Sequence, residues 1–150
     1  MRRPPLRDDA TGLLSGRWVL VVDGDDDRRE TLAAGLADCG ARVLRAESGE
    51  EALDLVQGTR PFAIVSEVAM PKMDGYEFMR RVRALPGDAG RAIPAIATSV
   101  DVEDHGRARA FESGFDAILR KPVEPLYLAR LILALAEMAG TSAWRPPRRA

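Results

Sequence analysis

The chain has 150 residues, 46% hydrophobic and 30% charged, which suits one soluble domain with a buried core and excludes a chain disordered throughout. With 22 basic and 23 acidic residues the net charge is −1, so the overall balance draws the chain neither to nucleic acid nor to an anionic membrane. The apolar runs fall far short of the roughly 20 residues that span a bilayer, and the basic start MRRPPLRDDA leads into no apolar segment that would make a secretory signal. One cysteine, Cys39, cannot form an internal disulfide, and with the single His105 it cannot complete a structural zinc set. A cytoplasmic setting is expected.

Residues 1–16, with prolines, glycines and mixed charge, read as a flexible lead, and residues 140–150 as a frayed tail. Between them, 17–139 alternates short β-rich runs with helical stretches. The first strand is predicted over 18–22 and is followed by Asp23-Gly24-Asp25-Asp26-Asp27. A helix over 27–39 comes next, with Leu32, Leu36 and Cys39 at helical spacing and Gly40 as its stop signal. Asp25, Asp26 and Asp27 suit its N-terminus, where the macrodipole favours anions. A strand over 42–45 precedes a helix over 49–57, where Ser48 and Glu51 form a capping-box pattern and Ala52, Leu53 and Val56 a buried stripe. The third strand, 62–66, ends in Ser66-Glu67 and leads to a helix over 75–85. The fourth, 95–98, ends in Thr98-Ser99 and leads to a helix over 102–113, stopped by Gly114, on which His105 is expected to face solvent. The fifth, 117–119, runs into Arg120-Lys121-Pro122.

The last helix, over 124–139, carries Leu126, Leu128, Leu131, Ile132, Leu133, Leu135 and Met138, more apolar surface than one face against a sheet requires. The surplus suggests either a partner-binding face or packing beneath the tail, with Trp144 folded back.

Apolar residues on consecutive positions suit parallel strands buried on both faces. Five such strands alternating with five helices predict an α/β fold, an open parallel sheet with helices on both sides. Sheets of that kind place their working site outside the carboxyl ends of the strands. Asp23, Glu67, Ser99 and Lys121 all fall there. Acids facing a lysine suit a divalent cation and a phosphoryl group, the oxygens holding the metal and the ammonium pairing with the anion.

These stretches resemble the receiver domain of two-component response regulators, the chemotaxis receivers included. The likeness rests on VLVVDGDDDRR (19–29), AIVSEVAMPKMDG (63–75), IPAIATS (93–99) and GFDAILRKP (114–122), and it runs from about residue 17 to 139. It implies a flavodoxin-like five-stranded sheet in the order 2-1-3-4-5. It also assigns roles position by position. The first acid of the family's acidic pair matches Asp23, but the second, a direct Mg²⁺ ligand in the family, is Gly24, and Asp25 stands one place further on. The phosphoaccepting aspartate, four residues before Pro71, is Glu67. The hydroxyl that follows the phosphoryl group is Ser99, and the phosphate-pairing lysine is Lys121. The aromatic switch residue, three places before that lysine, is Ile118.

Three departures at one site therefore imply an atypical receiver, with Mg²⁺ held weakly or not at all by Asp23 and Glu67. It would act as a phosphorylation-independent interaction module rather than an enzyme. The partners implied are a histidine kinase or a downstream effector, with a homodimer through the fourth helix, fifth strand and fifth helix, and neither nucleic acid nor membrane. Two alternatives stand beside this: a phosphorylatable, Mg²⁺-dependent receiver, and a structural scaffold. The short tail after the last helix leaves no space for an output domain, so a stand-alone receiver, or one detached from a larger kinase, is expected. The stretch 66–71 looks like receivers of hybrid sensor kinases.

Overall fold

Ten elements alternate along the chain: β1 (Trp18–Val22), α1 (Asp26–Asp38), β2 (Arg42–Ala46), α2 (Gly49–Thr59), β3 (Ala63–Glu67), α3 (Gly75–Arg83), β4 (Ala95–Ser99), α4 (Asp104–Ser113), β5 (Ala117–Arg120) and α5 (Pro125–Thr141). The computed structural model describes residues 12–87, 90, 92–100 and 102–141, without the side chains of 104, 105, 140 and 141. His105's side chain, Trp144, residues 1–11 and the tail beyond 141 lie outside that description. All strand pairs are parallel, in the order β2-β1-β3-β4-β5. This is the flavodoxin-like order that the resemblance to receiver domains implied.

The core forms because each strand alternates between two covered faces. Val19 and Val21 of β1, Ala63 and Val65 of β3 and Ile96 of β4 pack with Leu36 of α1 and with Leu128, Ala129 and Ile132 of α5. Leu20, Val22, Ile64, Ala95 and Ala97 point the other way, onto Ala52 and Val56 of α2, Phe78, Met79 and Val82 of α3, and Ala110 of α4. Each fully buried Val, Leu, Ile, Phe or Met contributes about 1.5–3 kcal/mol relative to exposure, so neither face is dispensable. No helix among the described residues is long and apolar enough to cross a membrane.

Several expected boundaries move. β3 and β4 each run one residue further, making Glu67 and Ser99 their last members. The ladder continues there, since the Val68 amide donates to the Thr98 carbonyl (3.1 Å) and the Lys121 amide to that of Ser99 (2.9 Å). Residues 12–16, expected within a flexible lead, form a turn whose Leu14 side chain is fully buried. The Leu14 amide donates to the Cys39 carbonyl (2.8 Å) and that of Gly16 to Gly40 (3.1 Å). Gly40 accepts this close approach at φ +94°, a left-handed conformation that glycine adopts without strain.

The apolar surplus of α5 is largely absorbed by the domain itself. Leu128 and Ile132 are fully buried, and Leu131, Leu133 and Leu135 pack half-buried on the same cluster. Tyr127 and Met138 remain exposed, at 56% and 63%.

Below the sheet's working edge, Arg83 ties α3 to the loop entering β5. Its guanidinium donates to the carbonyls of Gly90 (2.7 Å), Ile93 (2.8 Å) and Gly114 (2.8 Å) and to Asp116 Oδ2 (3.3 Å). Burial pushes this guanidinium below its usual pKa, and Asp116 opposes the shift.

Candidate functional site

Strand alternation builds the site. The positions that put Val19 and Val21, and Ala63 and Val65, on the α1/α5 face continue to Asp23 and Glu67 at the carboxyl ends of β1 and β3. Lys121 follows β5, joined to Pro122 by a cis peptide bond. Asp23 and Glu67 are 7% and 5% exposed. The Glu67 Oε1 atom accepts from Lys121 Nζ, which also lies 3.8 Å from Asp23 Oδ2. Isolated buried carboxylates are costly, and pairing with a cation offsets that cost.

A second cation meets the same two acids. Arg28, in the first turn of α1, donates through Nε to Asp23 Oδ2 and through Nη2 to Asp23 Oδ1, both at 3.3 Å. The same Nη2 donates to Glu67 Oε1 at 3.0 Å. The hydrogen bond to Asp23 raises the already high guanidinium pKa, against desolvation, so Arg28 is charged at any ordinary pH. Arg29 Nη1 donates to the Asp23 carbonyl at 3.0 Å and holds the backbone beneath the acid. Sequence reasoning missed Arg28, which reads as one more charge in a run of charges. The available signal was its place: a cation in the first turn of a helix opposes the macrodipole and needs another reason to be there.

The remaining expected residues divide. Asp25 caps α1: its Oδ1 accepts from the Arg28 amide (2.9 Å), while its own amide donates to Asp23 Oδ1 (2.8 Å). The bond from the Arg28 amide lowers its carboxyl pKa, with desolvation opposing. This carboxylate thus serves the helix and does not stand in for the acid missing at Gly24. A Cβ on Gly24 would meet only the Glu47 carbonyl, at 3.7 Å, so the position accepts a side chain. Buried Ser99 lines a cavity of about 200 Å³ together with Arg28, Glu67, Ala69, Val100 and Lys121. Ile118 is buried in the α2–α4 core cluster, one strand from Ala97.

Gly75, the last residue of the 63–75 stretch that carries the resemblance, sets the loop between β3 and α3. Its amide donates to the Val68 carbonyl (2.9 Å), and a Cβ there would stand 2.3 Å from the Glu67 carbonyl oxygen. Only glycine lets α3 begin this close to the end of β3.

A Mg²⁺ ion needs several oxygen ligands at about 2.0–2.1 Å in near-octahedral array. The two pocket carboxylates are already engaged by a guanidinium and an ammonium, and the third nearby is turned to the α1 N-terminus. Among the described residues no group of three or more His, Cys, Asp or Glu side chains is placed to hold a metal ion. The donor set as it stands does not fit the ion.

A doubly covered parallel sheet with acids, a hydroxyl and a lysine at its carboxyl edge defines a signalling receiver. The receiver-domain model of response regulators matches residues 19–133, and the chain belongs to that family. Among its relatives is an uncharacterised 14.6 kDa protein of Leptolyngbya boryana, 46% identical over 114 residues, which cover 76% of this chain and 86% of the relative. The transcriptional regulatory protein PrrA of Mycobacterium bovis is 36% identical over 133 residues, 89% of this chain, and the match spans only 55% of that regulator. Among solved structures, the receiver domain of the Arabidopsis thaliana histidine kinase CKI1, complexed with Mg²⁺ and beryllofluoride, superposes with a TM-score of 0.75 at 30% identity. That match covers 86% of this chain and 95% of the CKI1 domain.

Proposed function

We propose that this receiver works without phosphoryl transfer, as an interaction module of a two-component pathway whose pocket is set by internal ion pairs. The observation that carries this reading is Glu67, buried at the end of β3 and held by both Lys121 and Arg28. At the phosphoacceptor position, glutamate is one methylene longer than aspartate. Phosphoryl transfer asks a protein mainly for positioning and electrostatics, and that extra bond carries the carboxylate onto Lys121, the cation a phosphoryl group would need. Glu67 then supplies a charge of about −1 against the −1.5 to −2 of a phosphoryl group, a partial and permanent stand-in. Ile118, fixed in the core, has no aromatic ring to move in response.

The partners that fit are a histidine kinase or a downstream effector. A homodimer through α4, β5 and α5 is the further expectation. It is supported by β5 lying at the sheet edge and by Phe111 of α4 and Tyr127 of α5 standing 48% and 56% exposed. The clustering of Asp23, Glu67, Ser99 and Lys121 equally supports a second reading, a phosphorylatable receiver.

Labelling with acetyl phosphate in Mg²⁺ separates the two. The wild-type chain is expected to take up no phosphoryl group. Gly24→Asp/Arg28→Ala/Glu67→Asp, which restores both acids and clears the guanidinium, is expected to gain uptake. Wild-type uptake at the level of an ordinary receiver would overturn the proposal.

A further inference from the structure

We infer that Arg28 is a tethered replacement for a divalent cation, its guanidinium occupying the space between Asp23 and Glu67 and holding the two carboxylates together without metal. The geometry is that of a shared counter-ion. The fork grips both oxygens of Asp23 at 3.3 Å through Nε and Nη2, and Nη2 reaches across to Glu67 at 3.0 Å. Planar, bidentate pairing of this kind is what a guanidinium offers and an ammonium does not.

The placement is secured from several sides. Asp25 caps α1 through the Arg28 amide and keeps its own carboxylate 3.7 Å from Arg28 Nη1. Arg29 fixes the Asp23 carbonyl at 3.0 Å. Arg28 is thereby fixed at the third residue of the helix, facing the acids. A cation is disfavoured at that end of a helix, and the two carboxylates supply the compensation.

Charge balance leads to the same conclusion. Asp23 and Glu67 carry two negative charges, and Arg28 and Lys121 two positive. A divalent ion entering these four groups would leave an excess of two positive charges, reduced to one where the guanidinium withdrew, and the Asp25 carboxylate, 3.7 Å from Arg28 Nη1, offsets that one. Arg28 therefore does two things: it stabilises the carboxylate pair, and it competes with any metal for the same oxygens. Its side chain is half exposed, whereas those of Asp23 and Glu67 are 10% and 6% exposed. The guanidinium can leave towards solvent while the acids stay in place, so removing it should open a cation site rather than collapse the pocket.

The test is thermal unfolding of the full chain, wild type and Arg28→Ala, in EDTA, in millimolar MgCl₂ and in NaCl of matched ionic strength. Wild type should unfold at the same temperature in all three. Arg28→Ala should unfold earlier in EDTA and recover in MgCl₂ but not in NaCl, with apparent Mg²⁺ affinity at least about tenfold tighter than wild type, a difference of about 1.4 kcal/mol. Arg28→Gln, which keeps the stem and loses the charge, should behave in the same way and serves if the alanine variant does not fold. Stabilisation of wild type by Mg²⁺ equal to that of the variants would overturn the inference, and so would variants that Mg²⁺ fails to stabilise. Phosphoryl uptake plays no part in this readout, so a failure here leaves the reading of Glu67 to the labelling experiment.

Discussion

Lys121→Met is expected to remove about 3–5 kcal/mol of folding stability, the usual cost of breaking a buried ion pair from one side. The Lys121 side chain is 13% exposed and that of Glu67 6%. Without the ammonium, two buried carboxylates share one guanidinium that is itself half in water, where solvent weakens its field. For a chain of this size the melting point should fall by roughly 10 °C. The double variant Glu67→Met/Lys121→Met should recover most of that loss, because it leaves Asp23 as the one remaining buried acid of the pair, with both its oxygens held by Arg28. Urea titration of the wild type, single and double variants checks the cycle. A single-variant loss below about 1 kcal/mol, the value typical of exposed pairs, would show that Lys121 is not the principal partner of Glu67.

Gly75→Ala should be of similar severity for a different reason. Its Cβ would lie 2.3 Å from the Glu67 carbonyl oxygen and 2.7 Å from Val68 Cα. Both neighbours are backbone, so no side chain can turn aside. Either α3 retreats or the end of β3 shifts, and the hydrogen bond from the Gly75 amide to Val68 is strained. Overpacking of this kind costs about 1–3 kcal/mol and more where relief is blocked; the upper end is expected. Gly58→Ala is the control. Nothing lies within 4 Å of its Cβ, and replacing an unconstrained helical glycine by alanine should be neutral or gain about 0.5–1 kcal/mol. Equal effects at the two positions would contradict the close approach at Gly75.

The sheet was legible because burial on both faces leaves consecutive apolar residues, and the edge chemistry was legible because Asp23, Glu67, Ser99 and Lys121 each close such a run. Less local features were not. Leu14 sits in a segment without apolar periodicity, and its burial comes from docking against the α1–β2 turn at Cys39 and Gly40. Arg28 and Arg83 carry ordinary surface residue types, and their partners lie up to 39 and 33 positions away in the chain. The crowded apolar set of α5 read as a surplus because the width of the stripe it covers is fixed by neighbouring elements, α1 among them, and not by its own sequence.

The central claim, a pocket set by internal charges, is met most directly by amide NMR during addition of Mg²⁺ and then beryllofluoride, which stands in for the phosphoryl group. With Glu67, Lys121, Asp23 and Arg28 already paired, the amides of Glu67, Ser99 and Lys121 should show no saturable shift at either step. Saturable shifts at those residues, spreading to β5 and α5, would show a pocket that still switches and would contradict the claim.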